Sequence, residues 1–186
     1  MLYSFTGAQC TGKTTLLTEC QHSFDSWSFV NEVTRKVMRD GHGINLDGCD
    51  MTQLHILNEH FNNHTKTNAS VTMLDRCILD GYVYTSCLTS RGLVSEWVTS
   101  YATQLLNILV DKLDIIFYTQ PEGVPLVSDG TRSIDTNFRQ DIINRYEDLF
   151  AQDHHWMHKV VRLSGDVETR METINTTINK QLLKKQ

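Results

Sequence analysis

The chain has 186 residues, a net charge of −5 and a hydrophobic fraction of 40%. These values predict a soluble globular protein with one domain over residues 1–186. The negative net charge argues against a surface built to hold a polyanion, although a local basic cleft is still possible. No apolar run approaches the roughly 18 residues that a membrane span needs. The five cysteines form no C-x-x-C pair and a strand pattern begins at Leu2, so we expect a reduced, cytoplasmic protein.

The strongest motif lies at the start of the chain. Leu2–Thr6 is apolar and β-prone, and from Gly7 the spacing is G-x-x-x-x-G-K-T, the phosphate-binding loop pattern. In this pattern Lys13 supplies charge to the β- and γ-phosphates, and the hydroxyl of Thr14 can ligate Mg²⁺. We therefore expect ATP and Mg²⁺ as cofactors. The expected nucleotide-binding residues are Gly7, Ala8, Gln9, Cys10, Thr11, Gly12, Lys13, Thr14 and Thr15.

Strand and helix patterns alternate along the rest of the chain. Further β-prone runs predict strands over 28–31, 71–75, 115–118 and 160–163. Apolar residues at helical spacing predict helices over 13–24, 32–39, 50–61, 78–87, 95–112 and 137–150, and Asp166 can cap a last helix. This alternation predicts an α/β protein with a mainly parallel five-stranded sheet that helices cover on both faces.

Two predicted helices carry apolar stripes that should face the core. Asp50 and Gln53 resemble a capping pair that opens the first of these helices. Its stripe consists of Met51, Leu54, Leu57 and Phe61. The stripe of the helix over 95–112 consists of Val98, Tyr101, Leu105, Ile108 and Leu109. His60 and His64 lie four residues apart but lack the glutamate or cysteine partners of a zinc site, so we expect them to be solvated.

Asp75 and Arg76 follow the third predicted strand. In a parallel α/β sheet, ligands bind beyond the carboxyl ends of the strands, so both side chains should lie beside the phosphate-binding loop. A carboxylate in this position can hold Mg²⁺ directly or through water. Arg76 could bind the substrate, or it could instead pair with Asp80.

Glu32 closes the second predicted strand, with Arg35 one helical turn later. A carboxylate at this edge of the sheet could bind a substrate hydroxyl or accept its proton, and an arginine could bind a phosphate or a carboxylate in bidentate fashion. The alternative is an i,i+3 surface ion pair, which contributes only a few tenths of a kcal/mol.

The segment over 121–136 contains both prolines of the chain and should form a loop. It carries the sequence Asp129-Gly130-Thr131-Arg132-Ser133. A mobile lid with Arg132 could place positive charge over a transferred phosphoryl group and exclude water from it. A solvent-exposed turn is the alternative.

Together these motifs resemble P-loop small-molecule kinases, in particular the ribosylnicotinamide kinase domain of bacterial NAD-salvage proteins and related AAA-type kinase-like proteins of bacteriophages. The resemblance rests on the phosphate-binding loop and on Glu32-Val33-Thr34-Arg35, Leu74-Asp75-Arg76 and Asp129-Gly130-Thr131-Arg132-Ser133. It implies a three-layer, nucleotide-kinase-like fold and an ATP-dependent transfer of the γ-phosphate to a nucleoside or a (deoxy)nucleoside monophosphate.

The resemblance also assigns roles to the candidate residues. The implied catalytic residues are Lys13, Glu32, Asp75 and Arg132. The implied substrate-binding residues are Glu32, Arg35, Arg76, Asp129 and Arg132, and the implied metal ligands are Thr14 and Asp75. A hydroxyl acceptor would need Glu32 or Asp75 as a base, whereas a phosphate acceptor would need the arginines, so the acceptor type stays open.

The chain departs from the NAD-salvage proteins in two respects. We expect no adenylyltransferase domain, and the Asp-Arg pair looks more like that of thymidylate and deoxynucleoside kinases, where the arginine helps to bind the acceptor. A compact kinase of this kind looks like a phage enzyme of nucleotide metabolism. The alternatives are a ribosylnicotinamide-type kinase, a kinase of a hydroxymethylated base in DNA and a regulatory P-loop NTPase. We expect a small-molecule partner rather than nucleic acid or a membrane, and a homodimer stays open.

Overall fold

The computed structural model describes residues 1–66, 69–122 and 135–184. The predicted Asp129–Ser133 motif, and most of the predicted lid with it, lies outside the described residues. The strands are β1 (Leu2–Thr6), β2 (Ser28–Val30), β3 (Thr72–Leu74), β4 (Ile115–Thr119) and β5 (Val160–Leu163). The α-helices in these ranges are α1 (Lys13–Ser23), α2 (Val33–Arg39), α3 (Asp50–Thr65), α4 (Ile78–Ser90), α5 (Glu96–Leu109), α6 (Thr136–Phe150) and α7 (Val167–Lys184).

The five strands form one sheet in the order β2-β3-β1-β4-β5, and every neighbouring pair is parallel. This confirms the predicted α/β class and the parallel sheet. In the register of the sheet, Leu74 lies opposite both Ser4 of β1 and Val30 of β2. The carboxyl ends of these three strands therefore meet, and the segments that follow them share one edge of the sheet.

Helices cover both faces of the sheet, as the resemblance implied. The side chains of β4 alternate between the two faces, because successive residues of a strand point in opposite directions. Ile116 and Tyr118 pack with α4, α5 and α6 on one face, whereas Ile115 and Phe117 pack with α1 and α7 on the other. No helix within the described ranges is long and apolar enough to cross a membrane.

The predicted cap of α3 is wrong. The residue that precedes the helix is Cys49, and the Asp50 carboxylate instead accepts hydrogen bonds of 2.7 Å from the backbone N–H and the hydroxyl of Ser95. The Gln53 amide accepts a hydrogen bond from Thr85 of α4 at 3.0 Å. Both side chains therefore hold α3 to other parts of the fold, which a local capping pattern cannot reveal.

Both predicted apolar stripes are partly wrong. Met51 and Phe61 of α3 are 55% and 42% exposed, and Ile108 of α5 is 61% exposed. The buried face of α3 is instead largely polar and consists of Thr52, Gln53, Ile56, Leu57, His60 and His64. Polar residues can face inward here because this side of α3 lines a pocket and makes hydrogen bonds to α4, so apolar spacing alone indicates the wrong face.

His60 and His64 are buried rather than solvated, which corrects the prediction from sequence. His64 accepts a hydrogen bond from the backbone N–H of Ile78 through Nε2, at 3.2 Å. Burial, and to a lesser degree the Arg76 cation, lowers the pKa of His60 to about 3. Burial, and then the neighbouring His60, lowers the pKa of His64 to about 3 as well. Both imidazoles are therefore neutral at pH 7.

The two histidines predict a loss of stability in mild acid. Their pKa values in the folded chain lie well below the value of about 6.5 in an unfolded chain, so protons bind preferentially to the unfolded state as the pH falls below 6.5. We expect the free energy of unfolding to fall by about 4 kcal/mol for the pair between pH 7.5 and pH 5. Urea denaturation at a series of pH values measures this change in the free energy of unfolding.

The variant His64→Gln keeps a neutral hydrogen-bond acceptor but cannot take up a proton, so it should lose about half of this pH dependence. The matched control is His22→Gln, because His22 is exposed on α1 and should leave the pH dependence unchanged. An identical pH dependence in His64→Gln and the parent chain would contradict the assignment.

Candidate active site

The phosphate-binding loop connects β1 to α1 and has the backbone geometry that its glycines suggest. Gly7 and Gly12 have φ values of 137° and 88°, and Cys10 between them has a φ of 55°. A Cβ atom on Gly7 would lie 2.7 Å from the hydroxyl oxygen of Thr119 and 2.9 Å from its carbonyl oxygen, so only glycine fits there. Gly12 precedes α1 without a side-chain cap, so the N–H groups of the first turn are available to bind an anion.

Lys13 folds over this loop. It is only 4% exposed, and its ammonium group donates hydrogen bonds to the carbonyl oxygens of Gly7 at 2.8 Å and Ala8 at 2.5 Å. Burial, and then the nearby Arg76 cation, lowers the pKa of Lys13 to about 7. An anion in the loop would oppose this effect, so the position suits a side chain that contacts phosphate.

Thr14 and Asp75 meet beside the loop, as their predicted role as metal ligands requires. The Thr14 hydroxyl donates a hydrogen bond of 3.0 Å to Oδ2 of Asp75. Oδ1 of Asp75 is buried and has no hydrogen-bond partner among the described residues. Burial, and then the neighbouring Glu32, raises the pKa of the Asp75 carboxyl group. A buried carboxylate oxygen without a partner is costly, and a cation would remove that cost.

These residues fit Mg²⁺ better than a metal held by protein ligands alone. Within the described ranges, no cluster of three or more His, Cys, Asp or Glu residues could hold a metal ion. Mg²⁺ commonly takes only one or two protein oxygens and completes its octahedron with water and substrate phosphates. The hydroxyl of Thr14 and the carboxylate of Asp75 are two oxygen groups next to the loop that could hold Mg²⁺.

Arg76 joins two carboxylates in the interior. Its Nε donates to Glu32 at 2.7 Å, and its Nη1 donates to Asp80 at 2.6 Å and to the carbonyl oxygen of Gly7 at 3.3 Å. The side chains of all three ionised partners are less than a tenth exposed. Although burial opposes its charge, the acidic neighbours, first of all Glu32, raise the pKa of Arg76 above its usual range. Arg76 therefore forms the predicted ion pair with Asp80 and a second ion pair with Glu32.

Asp80 is a site residue that the sequence suggested only as an alternative partner for Arg76. Its Oδ2 accepts hydrogen bonds from the Thr6 hydroxyl at 2.8 Å and from the backbone N–H of Cys77 at 3.2 Å. Asp80 therefore fixes Arg76 to both β1 and the start of α4. Its i,i+4 spacing from Arg76 was the available signal.

Glu32 shows both geometries that the sequence left open. The Nε atom of Arg35 lies 3.4 Å from Oε2 of Glu32, so the i,i+3 pair forms. Half of the Arg35 side chain is exposed, but Glu32 is buried and pairs with Arg76 through its other oxygen. Glu32 therefore belongs to the interior of the site rather than to a surface pair.

A pocket lies on the other side of Glu32, between α2, α3 and α4. Gly81, Tyr84 and Leu88 of α4 line it, together with Glu32 and Arg76. The remaining lining residues are Gln9, Thr34, Arg35, Met38, Ile44, Asn45, Gln53, Ile56, His60 and Asp80. Glu32 and Arg35 also line the adjoining cleft that contains Thr14 and Asp75. Glu32 thus separates the pocket, called here the α2–α4 pocket, from the candidate metal site.

Arg170 of α7 is a site residue that the sequence analysis missed. It is 2% exposed and donates hydrogen bonds to three carbonyl oxygens, those of Thr11 at 2.7 Å, Gly165 at 2.9 Å and Gln120 at 3.0 Å. One guanidinium group therefore ties the phosphate-binding loop to the end of β4 and to the turn before α7. The available signal was its spacing of four residues from Ile174, which is buried on the same helix.

Two further side chains support the loop from α4 and α6. The Tyr84 hydroxyl donates to the Gln9 side-chain amide at 3.0 Å, and Nε of Arg139 donates to the Gln9 carbonyl oxygen at 3.2 Å. Gln9 therefore connects the loop to Tyr84, which lines the α2–α4 pocket with it. Asp129 and Arg132 lie outside the described residues.

Solved structures share this fold. A deoxyadenosine kinase from M. mycoides with dCMP and dCDP bound superposes with a TM-score of 0.68 at 17% identity and covers 97% of this chain and 100% of its own. The NadR protein in complex with NR gives a TM-score of 0.70 at 17% identity over 89% of this chain and 46% of its own. No curated protein matches the sequence.

One protein family has a sequence model that matches most of this chain. The model of the AAA domain family matches residues 2–170, from the first residue of β1 to the arginine that holds the phosphate-binding loop. The match contains Lys13, Glu32, Asp75 and Arg76, and it extends over the whole sheet. The chain belongs to the AAA domain family.

Proposed function

We propose that this chain is an ATP-dependent kinase that transfers the γ-phosphate to a hydroxyl group of a nucleoside. The observation that carries the proposal is the position of Glu32, which lines both the α2–α4 pocket and the cleft with Thr14 and Asp75. A carboxylate between an acceptor pocket and a phosphate site is where a general base for a hydroxyl acceptor is needed. The structural similarity to a deoxyadenosine kinase supports this function.

Each group has a defined part in this reaction. Lys13 and the loop N–H groups hold the triphosphate, and Thr14 and Asp75 hold Mg²⁺. Mg²⁺, when bound, neutralises charge on the phosphate oxygens. The acceptor oxygen forms a bond to the γ-phosphorus while the bond from that phosphorus to the β,γ-bridging oxygen breaks. ADP leaves, and Glu32 takes the proton of the acceptor hydroxyl.

Two residues of the predicted lid complete the proposal. Arg132 stabilises the charge on the transferring phosphoryl group, and Asp129 contacts the acceptor. Arg35 lines the α2–α4 pocket with half of its side chain exposed, and it contributes positive charge there.

The charge balance favours a hydroxyl acceptor over a monophosphate. Arg76 is engaged with both Glu32 and Asp80, so its charge is already offset by two carboxylates. A dianionic phosphate beside Glu32 would meet the Glu32 carboxylate in the pocket and the Asp75 carboxylate in the adjoining cleft, and both would repel it. A neutral hydroxyl group is not repelled by these carboxylates, and Glu32 can act as its general base.

The lining of the α2–α4 pocket suits a nucleobase. Apolar surface comes from Met38, Ile56 and Leu88, on which a flat ring can pack. Gln53 and His60 add polar atoms, and Nδ1 of His60 is buried without a hydrogen-bond partner among the described residues. These neutral groups can read the hydrogen-bonding edge of a base.

The central experiment measures ATP turnover with a panel of nucleosides and nucleoside monophosphates. We expect nucleosides to stimulate turnover and monophosphates to be poor acceptors. Glu32→Gln should lower kcat by about 10²- to 10⁴-fold, because it removes the base. Glu59→Gln is the matched control, since Glu59 forms an exposed pair with Lys36 on the neighbouring helix. Hydrolysis that no acceptor changes, or parental turnover in Glu32→Gln, would refute the proposal.

A second prediction concerns the metal site. Asp75→Asn keeps the shape of the side chain but removes the charge that holds Mg²⁺, so we expect a large loss of rate that added Mg²⁺ only partly restores. Asp111→Asn is the control, because Asp111 is exposed and pairs with His155. Turnover measured over a range of Mg²⁺ concentrations decides the point. Equal Mg²⁺ dependence in Asp75→Asn and the parent would exclude the assignment.

A third prediction concerns Arg170. The buried Arg170 guanidinium holds the phosphate-binding loop through the carbonyl oxygen of Thr11. Arg170→Met should therefore raise the KM for ATP by about tenfold or more and leave the KM for the acceptor within about twofold of the parental value. Arg170→Lys keeps the positive charge but lacks the several N–H donors of the planar guanidinium, so it should recover only part of the affinity for ATP. Arg162→Met removes an exposed arginine that pairs with Glu147 and serves as the control. An equal change in both KM values would indicate a general loss of structure instead.

A further inference from the structure

Gln9 belongs to the phosphate-binding loop, but it lines the α2–α4 pocket. It is only 2% exposed, and its side-chain oxygen Oε1 accepts a hydrogen bond of 3.0 Å from the hydroxyl group of Tyr84. Tyr84 lines the same pocket, whereas the described lining of the adjoining cleft contains Thr14 and Asp75 but not Gln9. The amide of Gln9 is therefore held on the side of the acceptor pocket rather than beside the candidate metal site.

The amide nitrogen of Gln9 has a donor capacity that the described residues do not use. Its Nε2 is buried and has no hydrogen-bond partner among them. A side-chain amide has two N–H donors, and buried donors are nearly always paired because an unpaired one is destabilising. Among the described residues that line the pocket, Nδ1 of His60 is the only other buried polar side-chain atom in this condition. An oxygen atom of a ligand in the pocket would give Nε2 the partner that it lacks.

The orientation of this amide is fixed by its neighbours. Burial raises the pKa of Tyr84 to about 12, so its hydroxyl group keeps its proton at neutral pH and donates it to Oε1. The carbonyl oxygen of Gln9 accepts a hydrogen bond from Nε of Arg139 at 3.2 Å, which holds the backbone of the same residue. Since Oε1 is engaged with Tyr84, the N–H donors of the amide are left for a ligand. Preorganised donors of this kind bind a ligand with little further loss of conformational freedom.

The place of Gln9 in the loop indicates which part of a nucleoside it contacts. The reacting hydroxyl group has to lie beside Glu32 and close to the γ-phosphate that the loop holds. Arg76 connects these positions, because it bonds both to Glu32 and to the carbonyl oxygen of Gly7, which lies in the same loop as Gln9. The sugar carries the reacting hydroxyl group, so the sugar is the part of the nucleoside nearest to the loop. A neutral N–H donor suits a second, neutral hydroxyl group on the same sugar.

We propose that Gln9 binds the acceptor rather than ATP, with Nε2 donating a hydrogen bond to a sugar hydroxyl group that does not receive the phosphoryl group. This inference rests on the proposed function, because it requires a nucleoside in the α2–α4 pocket. One loop then holds both substrates, since Lys13 and the backbone N–H groups hold the triphosphate and Gln9 holds the sugar. A contact of this kind sets the distance between the acceptor hydroxyl group and the γ-phosphate.

Steady-state kinetics with the variant Gln9→Met tests the proposal, because methionine has a similar length to glutamine but no N–H donor. The substrates are the best nucleoside acceptor of the parent chain and the analogues that each lack one of its non-reacting sugar hydroxyl groups. On the complete nucleoside we expect kcat/KM to fall by about tenfold or more, with the KM for ATP within about twofold of the parental value. On the analogue without the contacted hydroxyl group, Gln9→Met and the parent should differ by less than about twofold, because the contact is already lost.

Two further variants separate this contact from a general loss of structure. Gln140→Met makes the same change at an exposed glutamine that pairs with Asn144 on α6, so it should match the parent. Tyr84→Phe keeps the ring but no longer orients the amide of Gln9, so we expect a smaller loss on the same nucleosides. This variant carries the test if Gln9→Met does not fold, and the melting temperature verifies the folding of each variant.

The outcomes separate this inference from the proposed function. If Gln9→Met lowers kcat/KM equally on every analogue, or raises the KM for ATP while the acceptor kinetics stay at parental values, the inference is wrong but the proposed function stands. A parent chain that phosphorylates no nucleoside would refute both.

Discussion

The buried salt-bridge network around Arg76 is the interaction on which the site depends. One guanidinium group holds Glu32, which directly precedes α2, and Asp80 of α4, while also contacting the carbonyl oxygen of Gly7. Removing one partner of a buried pair costs about 3–5 kcal/mol, because it leaves a charge in the interior without compensation. The network therefore couples the phosphate-binding loop, the β2 edge and α4, and it holds the Glu32 carboxylate in one orientation.

The parallel sheet explains why these groups meet at all. β3 lies between β1 and β2, and all three run in the same direction, so residues separated by more than 40 positions along the chain follow strands that lie side by side. Lys13, Glu32 and Asp75 each follow one of these strands. β1 is central, and this places the phosphate-binding loop between the α2–α4 pocket on one side and Arg170 on the other.

Much of this arrangement could be predicted from sequence because it depends on local patterns and on sheet topology. The Gly7–Thr14 spacing, the strand ends and the Asp166 cap, which accepts a hydrogen bond from Thr169, are local features. The inner face of α3 could not be predicted, because two apolar residues of the predicted stripe, Met51 and Phe61, are exposed, whereas the polar residues Gln53 and His60 line a pocket. Arg170 was missed for a related reason, since its three acceptors are backbone carbonyls that no residue pattern identifies.

The two glycines of the phosphate-binding loop differ in how replaceable they are. At Gly7, both the backbone angle and the nearby atoms of Thr119 exclude a side chain. At Gly12, the closest atom to an added Cβ is Nη1 of Arg170 at 3.8 Å, which is ordinary van der Waals contact, so only the left-handed backbone resists substitution. Asparagine tolerates that backbone region better than other residues. Sequence drift in this loop is therefore limited by space at its first glycine and by torsion at its second.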